Sequence, residues 1–248
     1  MGEHRTLTNK FRSQLAEADV ILTSKQEGQL LSYYALLVEG NKRMNLTAVT
    51  EYEEALEKHF LDSLYPVKLF PEELKKELAA GAGIIDVGTG AGLPGIPLAI
   101  LFPESRVTLM DSLGKRVSFL GEVISALGLS RAEAVHSRAE DLGRDPAYRD
   151  SFALAVSRAV ASLSPLSEYC LPFVKKGGYF LPYKGKKVEE ELEDGKRAIQ
   201  KLGGELLETR SYLLPGTDYE RVLPVIRKKS ETPARYPRKA GTPSKEPL

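Results

Sequence analysis

The segment Ile84 Ile85 Asp86 Val87 Gly88 Thr89 Gly90 Ala91 Gly92 Leu93 Pro94 Gly95 constrains this chain more than any other. An apolar run there meets an acidic residue and then a glycine loop. The β-branched residues suit a buried strand, and Gly88, Gly90 and Gly92 let the backbone turn tightly and approach a ligand closely. Pro94 suits the first turn of a helix continued by residues 96–102, because its missing N–H costs nothing at that position. Strand, glycine loop and helix in this order open a doubly wound α/β domain, which binds ligands at the carboxyl ends of its strands.

Two cofactor classes compete for such a loop. Gly90, Gly92 and Gly95 match G-x-G-x-x-G, which taken alone proposes a dinucleotide and an NAD-dependent oxidoreductase. The fuller pattern, Asp86-x-Gly88-x-Gly90-x-Gly92, resembles motif I of S-adenosylmethionine (SAM) methyltransferases. SAM has no pyrophosphate for a helix N-terminus to hold; it carries an ammonium and a sulfonium, which an acidic residue beside the loop complements. The bland alternative is a glycine-rich turn that packs a helix on a sheet. Residues 106–110 read as a second strand ending at Asp111, whose carboxylate suits the hydroxyls of a ribose; NAD and SAM both carry one. Beyond it, Val117, Leu120, Ile124 and Leu127 recur at helical spacing.

Strand and helix go on alternating. Residues 132–136, 152–156 and 178–183 read as the next strands, with residues 163–174 helical between the last two. Residues 189–202 form a charged surface helix, and residues 205–213 with 221–226 complete the sheet as a hairpin. Ahead of the glycine loop, Leu15, Leu22, Leu30, Leu31, Tyr34, Leu37 and Val38 follow a helical period, residues 53–70 give another amphipathic stretch, and residues 72–83 mark a boundary. The expected organisation is a helical N-terminal extension (1–80), a cofactor-binding domain (81–230) and a basic, proline-rich tail (231–248).

Composition limits the partners. The 248 residues carry a net charge of +1, so contact with nucleic acid must come from a local patch, and the 42% hydrophobic content is that of a globular chain. Arg227, Lys228, Lys229, Arg235, Arg238, Lys239 and Lys245 supply one patch; a phosphate-binding arm and a solvated tail are equal readings of it. The single cysteine, Cys170, sits among apolar residues and reads as a core thiol, which points to a reducing compartment, the cytoplasm. No zinc spacing, signal-like apolar core or membrane-length apolar run is present, so neither a metal nor a membrane is expected. No coiled-coil heptad is evident, and a monomer is expected.

Several short segments converge on one family. Asn41–Ala48 (NKRMNLTA), His59–Leu64 (HFLDSL), the glycine loop with Leu93 Pro94 Gly95, Asp111–Arg116 (DSLGKR), Ser137–Glu140 (SRAE), Ser157–Ala159 (SRA) and Lys184 Gly185 together resemble the bacterial 16S ribosomal RNA guanine-N7 methyltransferases, the RsmG (GidB) family. The resemblance spans essentially the whole chain. It implies a class I SAM-dependent methyltransferase, a Rossmann-like α/β sheet with helices on both faces, acting on 16S ribosomal RNA or the small ribosomal subunit. By the family's motifs, Gly88 and Leu93 match cofactor-loop positions, Ala139 and Glu140 the adenine side, and Arg158 a cofactor position after the fourth strand. Asp86, Gly90 and Asp111 join them from the reading of the loop itself.

The implied reaction asks little of the protein. Guanine N7 has a lone pair and no proton, so in-line attack on a sulfonium methyl needs no general base and no catalytic acid or base is assigned. Arg138, Lys184, Asn45 and His59 are the candidates for positioning substrate. Against them stand a local Arg138–Glu140 ion pair and a solvated Lys184 in a lysine-rich turn. His59, Asp62 and Ser63 invite a triad reading, but no oxyanion-hole motif accompanies them and helical spacing lets them satisfy one another. Two other classes stay open on the residues alone: the NAD-dependent oxidoreductase, and a non-catalytic ribosome-assembly factor that binds RNA.

Overall fold

Seven strands form one mixed sheet: β1 (Ile84–Val87), β2 (Val107–Asp111), β3 (Ala132–His136), β4 (Phe152–Arg158), β5 (Val174–Gly185), β6 (Gly204–Leu213) and β7 (Glu220–Lys228), in the order β3-β2-β1-β4-β5-β7-β6. The computed structural model describes residues 6–248, so residues 1–5 of the anticipated N-terminal extension lie outside the described residues. β1 to β5 pair in parallel, and β7 runs antiparallel between β5 and β6 as the expected hairpin. Every residue of β1 and β2 is buried, as both faces of a parallel sheet require.

Helices cover the two faces: α1 (Asn9–Ala16), α2 (Ser24–Met44), α3 (Tyr52–Ala55), α4 (Asp62–Leu64), α5 (Glu72–Ala79), α6 (Gly95–Leu101), α7 (Gly114–Leu127), α8 (Ala139–Leu142), α9 (Leu163–Cys170), α10 (Val188–Lys201) and α11 (Thr242–Lys245). Alternate strand residues feed two cores. Ile84, Leu109 and Leu154 pack with Leu30, Tyr33 and Leu37 of α2 on one side. On the other, Ile85, Val87 and Phe180 pack with Leu163, Leu166 and Ile199. α2 starts at a capping box, in which Thr23 Oγ1 accepts from the Gln26 N–H and Gln26 Oε1 accepts from the Thr23 N–H. It ends at Asn45, in the left-handed region at φ 49°.

Two elements depart from the spacing. Residues 53–70 are not one helix. α3 passes into a π-helical turn (Leu56–Leu61), then α4, then a 3-10 turn (Tyr65–Leu69) in which Pro66 lacks the N–H that an α-helix would use. The buried stripe of α7 is Phe119, Leu120, Val123 and Leu127, with Val117 and Ile124 at its margin, because α7 packs against α2 as well as the sheet.

Candidate cofactor site

The glycine loop lies where the chain order of the sheet reverses, between β1 and its neighbours β2 and β4. Loops leaving adjacent strands diverge there and open a crevice. The Gly88 and Thr89 N–H groups donate to the Met110 carbonyl at 2.9 and 3.0 Å, which pins the loop to the end of β2. Tyr33 of α2 donates to the Ala91 carbonyl at 2.8 Å, so the N-terminal helices hold the loop from the other side.

Asp86 is fully buried beneath this loop. Its Oδ2 accepts from Thr89 Oγ1 at 2.7 Å and from the Gly95 N–H at 2.8 Å, while Oδ1 is buried without a hydrogen-bond partner among the described residues. Burial raises its pKa to about 6, against the pull of those two donors. A Cβ at Gly95 would overlap Leu109 Cδ2 and lie 2.8 Å from Asp86 Oδ2, so this third glycine of the G-x-G-x-x-G match serves helix-on-sheet packing. Gly90 is the opposite case. Its φ is +62° and an added Cβ would meet nothing within 4 Å, which leaves open space over the loop.

Asp111, buried at the end of β2, reaches back to the loop. Its Oδ2 accepts from the Gly90 N–H and its Oδ1 from the Leu113 N–H, each at 2.9 Å, with Arg116 Nη1 at 3.4 Å from Oδ2. A cleft beside these residues is lined by Gly88, Met110, Arg138, Ala139, Glu140 and Tyr169 among others. Val160 leans into it, its Cγ2 being 2.7 Å from where a Gly88 Cβ would stand. The cleft gathers Gly88, Arg138, Ala139 and Glu140, while Asp86, beneath the loop, and Leu93, within it, are buried. A larger cavity, about 320 Å³, lies at the opposite end of the strands around Gln26, Ile100 and Arg131, away from the glycine loop and the strand termini that bind ligands in such sheets.

Arg158, expected at the cofactor, does not line the cleft, and like most of the positioning candidates it takes partners of its own. Arg158, at the end of β4, donates from Nη1 to Asp62 Oδ2 at 3.1 Å, and Arg221 Nε donates to Asp62 Oδ1 at 2.8 Å. Arg221 carried no sequence signal for this site; its register on β7 opposite Gly185 brings it there. Ser63 Oγ donates to the His59 carbonyl, and His59 Nε2 lies 3.0 Å from Thr47 Oγ1 and 3.3 Å from the Val49 carbonyl. Ser63 is thus satisfied by the His59 carbonyl, as helical spacing allows, while the His59 ring reaches residues 47–49 and Asp62 reaches β4 and β7. Burial lowers the His59 pKa and keeps the ring neutral at pH 7. Asn45 acts through its backbone, ending α2, and Asn41 Oδ1 accepts from the Thr47 N–H at 2.8 Å.

Lys184 is not the solvated turn residue. Its Nζ donates to the Ala161 carbonyl at 2.7 Å and to Glu191 Oε2 at 3.0 Å, and Glu191 Oε2 also accepts from the Leu163 N–H. It fastens the segment between β4 and α9. Arg138 is exposed at the cleft, and the local Arg138–Glu140 pair does not form, because Glu140 Oε1 accepts from the Gly241 N–H at 2.8 Å. Two of the seven cations of the basic patch are corrected, while Lys229, Arg235, Lys239 and Lys245 remain exposed. Lys228 is wholly buried, bonded to Asp150, Thr232 and the Leu171 carbonyl, and Arg238 grips the buried Glu168. These two cations hold the fold together and are not free for phosphate.

The switch-point loop, the acidic residues at the carboxyl ends of β1 and β2 and the helices on both faces define a class I SAM-dependent methyltransferase, and the space over Gly90 beside Asp111 fits that cofactor. The chain belongs to the rRNA small subunit methyltransferase G (GidB) family, whose model matches residues 26–216. It is 48% identical over 239 residues to the ribosomal RNA small subunit methyltransferase G of Lactobacillus helveticus, covering 96% of this chain and 98% of that one. With the protein of the same name from Lachnoclostridium phytofermentans it shares 52% identity over 238 residues, 96% of each chain. A solved 16S rRNA adenine-N1 methyltransferase from Catenulisporales acidiphilia superposes with a TM-score of 0.51 at 17% identity, over 65% of this chain and 93% of that one; the likeness is one of fold. Among the described residues, no helix is long and apolar enough to cross a membrane, and no cluster of three or more His, Cys, Asp or Glu side chains could hold a metal ion.

Proposed function

We propose that this chain transfers the methyl group of SAM to N7 of a guanine in small-subunit ribosomal RNA, as a cytoplasmic monomer and without a metal. Membership of the methyltransferase G family over nearly the whole chain carries this reading, and it sets the NAD-dependent oxidoreductase and the non-catalytic assembly factor aside. SAM, when bound, supplies a methyl group on a positively charged sulfur. Gly88 and Gly90 let the backbone approach it, Asp111 offers its carboxylate to the ribose hydroxyls, and Ala139 and Glu140 receive the adenine. Asp86, Leu93 and Arg158 shape the loop from beneath and beside it.

The protein's task at the acceptor is placement. N7 needs no base, so the chain gains rate by holding the purine in line and excluding water. Arg138, exposed at the cleft, suits guanine O6 or an adjacent phosphate, since a donor aimed at N7 itself would occupy the lone pair that attacks. Lys184 acts through the segment it fastens, and His59 and Asn45 act through residues 45–50. Residues 6–80 serve as a helical cap that braces the loop through Tyr33.

Labelled SAM offered to unmodified small ribosomal subunits and to protein-free 16S RNA, with reductive strand cleavage at N7-methylguanine, tests this. A single cleavage site on one of the two substrates is expected and would identify the assembly state recognised. Incorporation of label without cleavage would move the acceptor atom away from N7. Cofactor binding with no transfer to either substrate would overturn the reading.

A further inference from the structure

The geometry points to the C-terminal segment, residues 235–248, as a strap that forms part of the cofactor site and sets its affinity. The inference rests on the proposed placement of the adenine against Ala139 and Glu140.

Arg238 anchors the strap. Its Nε lies 3.0 and 3.1 Å from the two carboxylate oxygens of Glu168, its Nη2 donates to Oε2 at 2.7 Å, and its backbone N–H donates to Oε1 at 2.7 Å. Glu168 lies in α9 with no exposed surface, so the strap supplies the counter-charge for a buried carboxylate. Such forked, charge-assisted contacts fix orientation as well as position. Arg149 Nη1 donates to the Tyr236 carbonyl at 2.9 Å, and Tyr236 is itself buried in the second core.

From that anchor the strap reaches the cleft. The Gly241 N–H donates to Glu140 Oε1, and Glu140 lines the cleft. A glutamate left free would sample several rotamers, and ordering it on binding would cost affinity. Gly241 orders it in advance. The strap residues act through Glu140 and are positioning residues. By linkage, a cofactor seated against Glu140 must favour the docked strap by the same factor that the strap favours the cofactor.

Amide hydrogen exchange of the full chain with and without S-adenosylhomocysteine tests this without altering the protein. Slower exchange is expected at residues 139–140 and also at Gly241 and its neighbours in the strap. A variant lacking residues 241–248 keeps the Arg238–Glu168 anchor. Its S-adenosylhomocysteine Kd should rise about tenfold. Its KM for SAM should rise in step, while its KM for RNA and its kcat at saturating SAM stay close to the parent values; its melting temperature should fall modestly, since the buried Pro243 and the Leu248 contacts go with the segment. Arg238→Met should show the same affinity loss with reduced stability, and Arg238→Lys should recover part of both. Protection at residues 139–140 with none in the strap, and an unchanged Kd in the shortened chain, would overturn the strap and leave the cofactor's placement standing. S-adenosylhomocysteine that binds without protecting residues 139–140 would overturn both.

Discussion

Single residues of the glycine loop divide into those that shape it and those that leave room. Gly95→Ala forces a methyl group into Leu109 and Asp86 and should cost about 1–3 kcal/mol in urea unfolding, with cofactor binding lost as the loop shifts. Gly90→Ala meets no neighbour and pays only the left-handed strain of about 1–2 kcal/mol. Its S-adenosylhomocysteine affinity should nevertheless fall at least tenfold, as calorimetry would read, because the new methyl group occupies the space over the loop. Equal affinities for parent and Gly90→Ala would place the cofactor elsewhere. Asp86 gives a pH signature. Its pKa is raised by burial to about 6, so between pH 4 and 6 the folded state binds more protons than the unfolded state. The Asp86 contribution to stability therefore falls as pH rises through that window and is level above it, a change of roughly 3 kcal/mol. Melting temperatures of the parent relative to Asp86→Asn should decline from pH 4 to 6.5; a flat difference would mean that Asp86 titrates normally. The motif spelled out this carboxylate's presence. Its place beneath the loop, bonded to Thr89 and Gly95, followed only from the fold.

At the scale of elements, the parallel strands were legible because β1 and β2 are short apolar runs that carry an acidic residue at or next to their carboxyl ends, a pattern local to each. Residues 53–70 were not, since helical periodicity survives the π-helical and 3-10 turns that divide them. Those turns aim Asp62 at two guanidiniums, Arg158 of β4 and Arg221 of β7. Asp62→Ala leaves those cations facing each other in a largely buried site and should cost about 3 kcal/mol in denaturant unfolding. Asp62→Ala combined with Arg221→Met should recover part of that loss. A cost below about 1 kcal/mol for Asp62→Ala would mean that solvent already screens the cluster.

Across the whole molecule, a net charge of +1 leaves RNA affinity to local groups. Arg138→Ala should lower the slope of log affinity against log salt by about one if it meets a phosphate. Arg238→Met, which removes a cation bound to Glu168, should leave that slope unchanged. An altered slope for Arg238→Met with none for Arg138→Ala would place the RNA over the tail. By itself the sequence determined the order of strands and helices, the glycine loop with Asp86 and Asp111, and the family, because each rests on local periodicity, backbone freedom or a run of neighbouring residues. The tertiary structure decided which charges are spent inside the protein. Asp62 with Arg221, Glu168 with Arg238 and Asp150 with Lys228 are 159, 70 and 78 residues apart. A charged side chain reads as solvated until packing removes its water, and only the folded chain brings the partner that makes its burial tolerable.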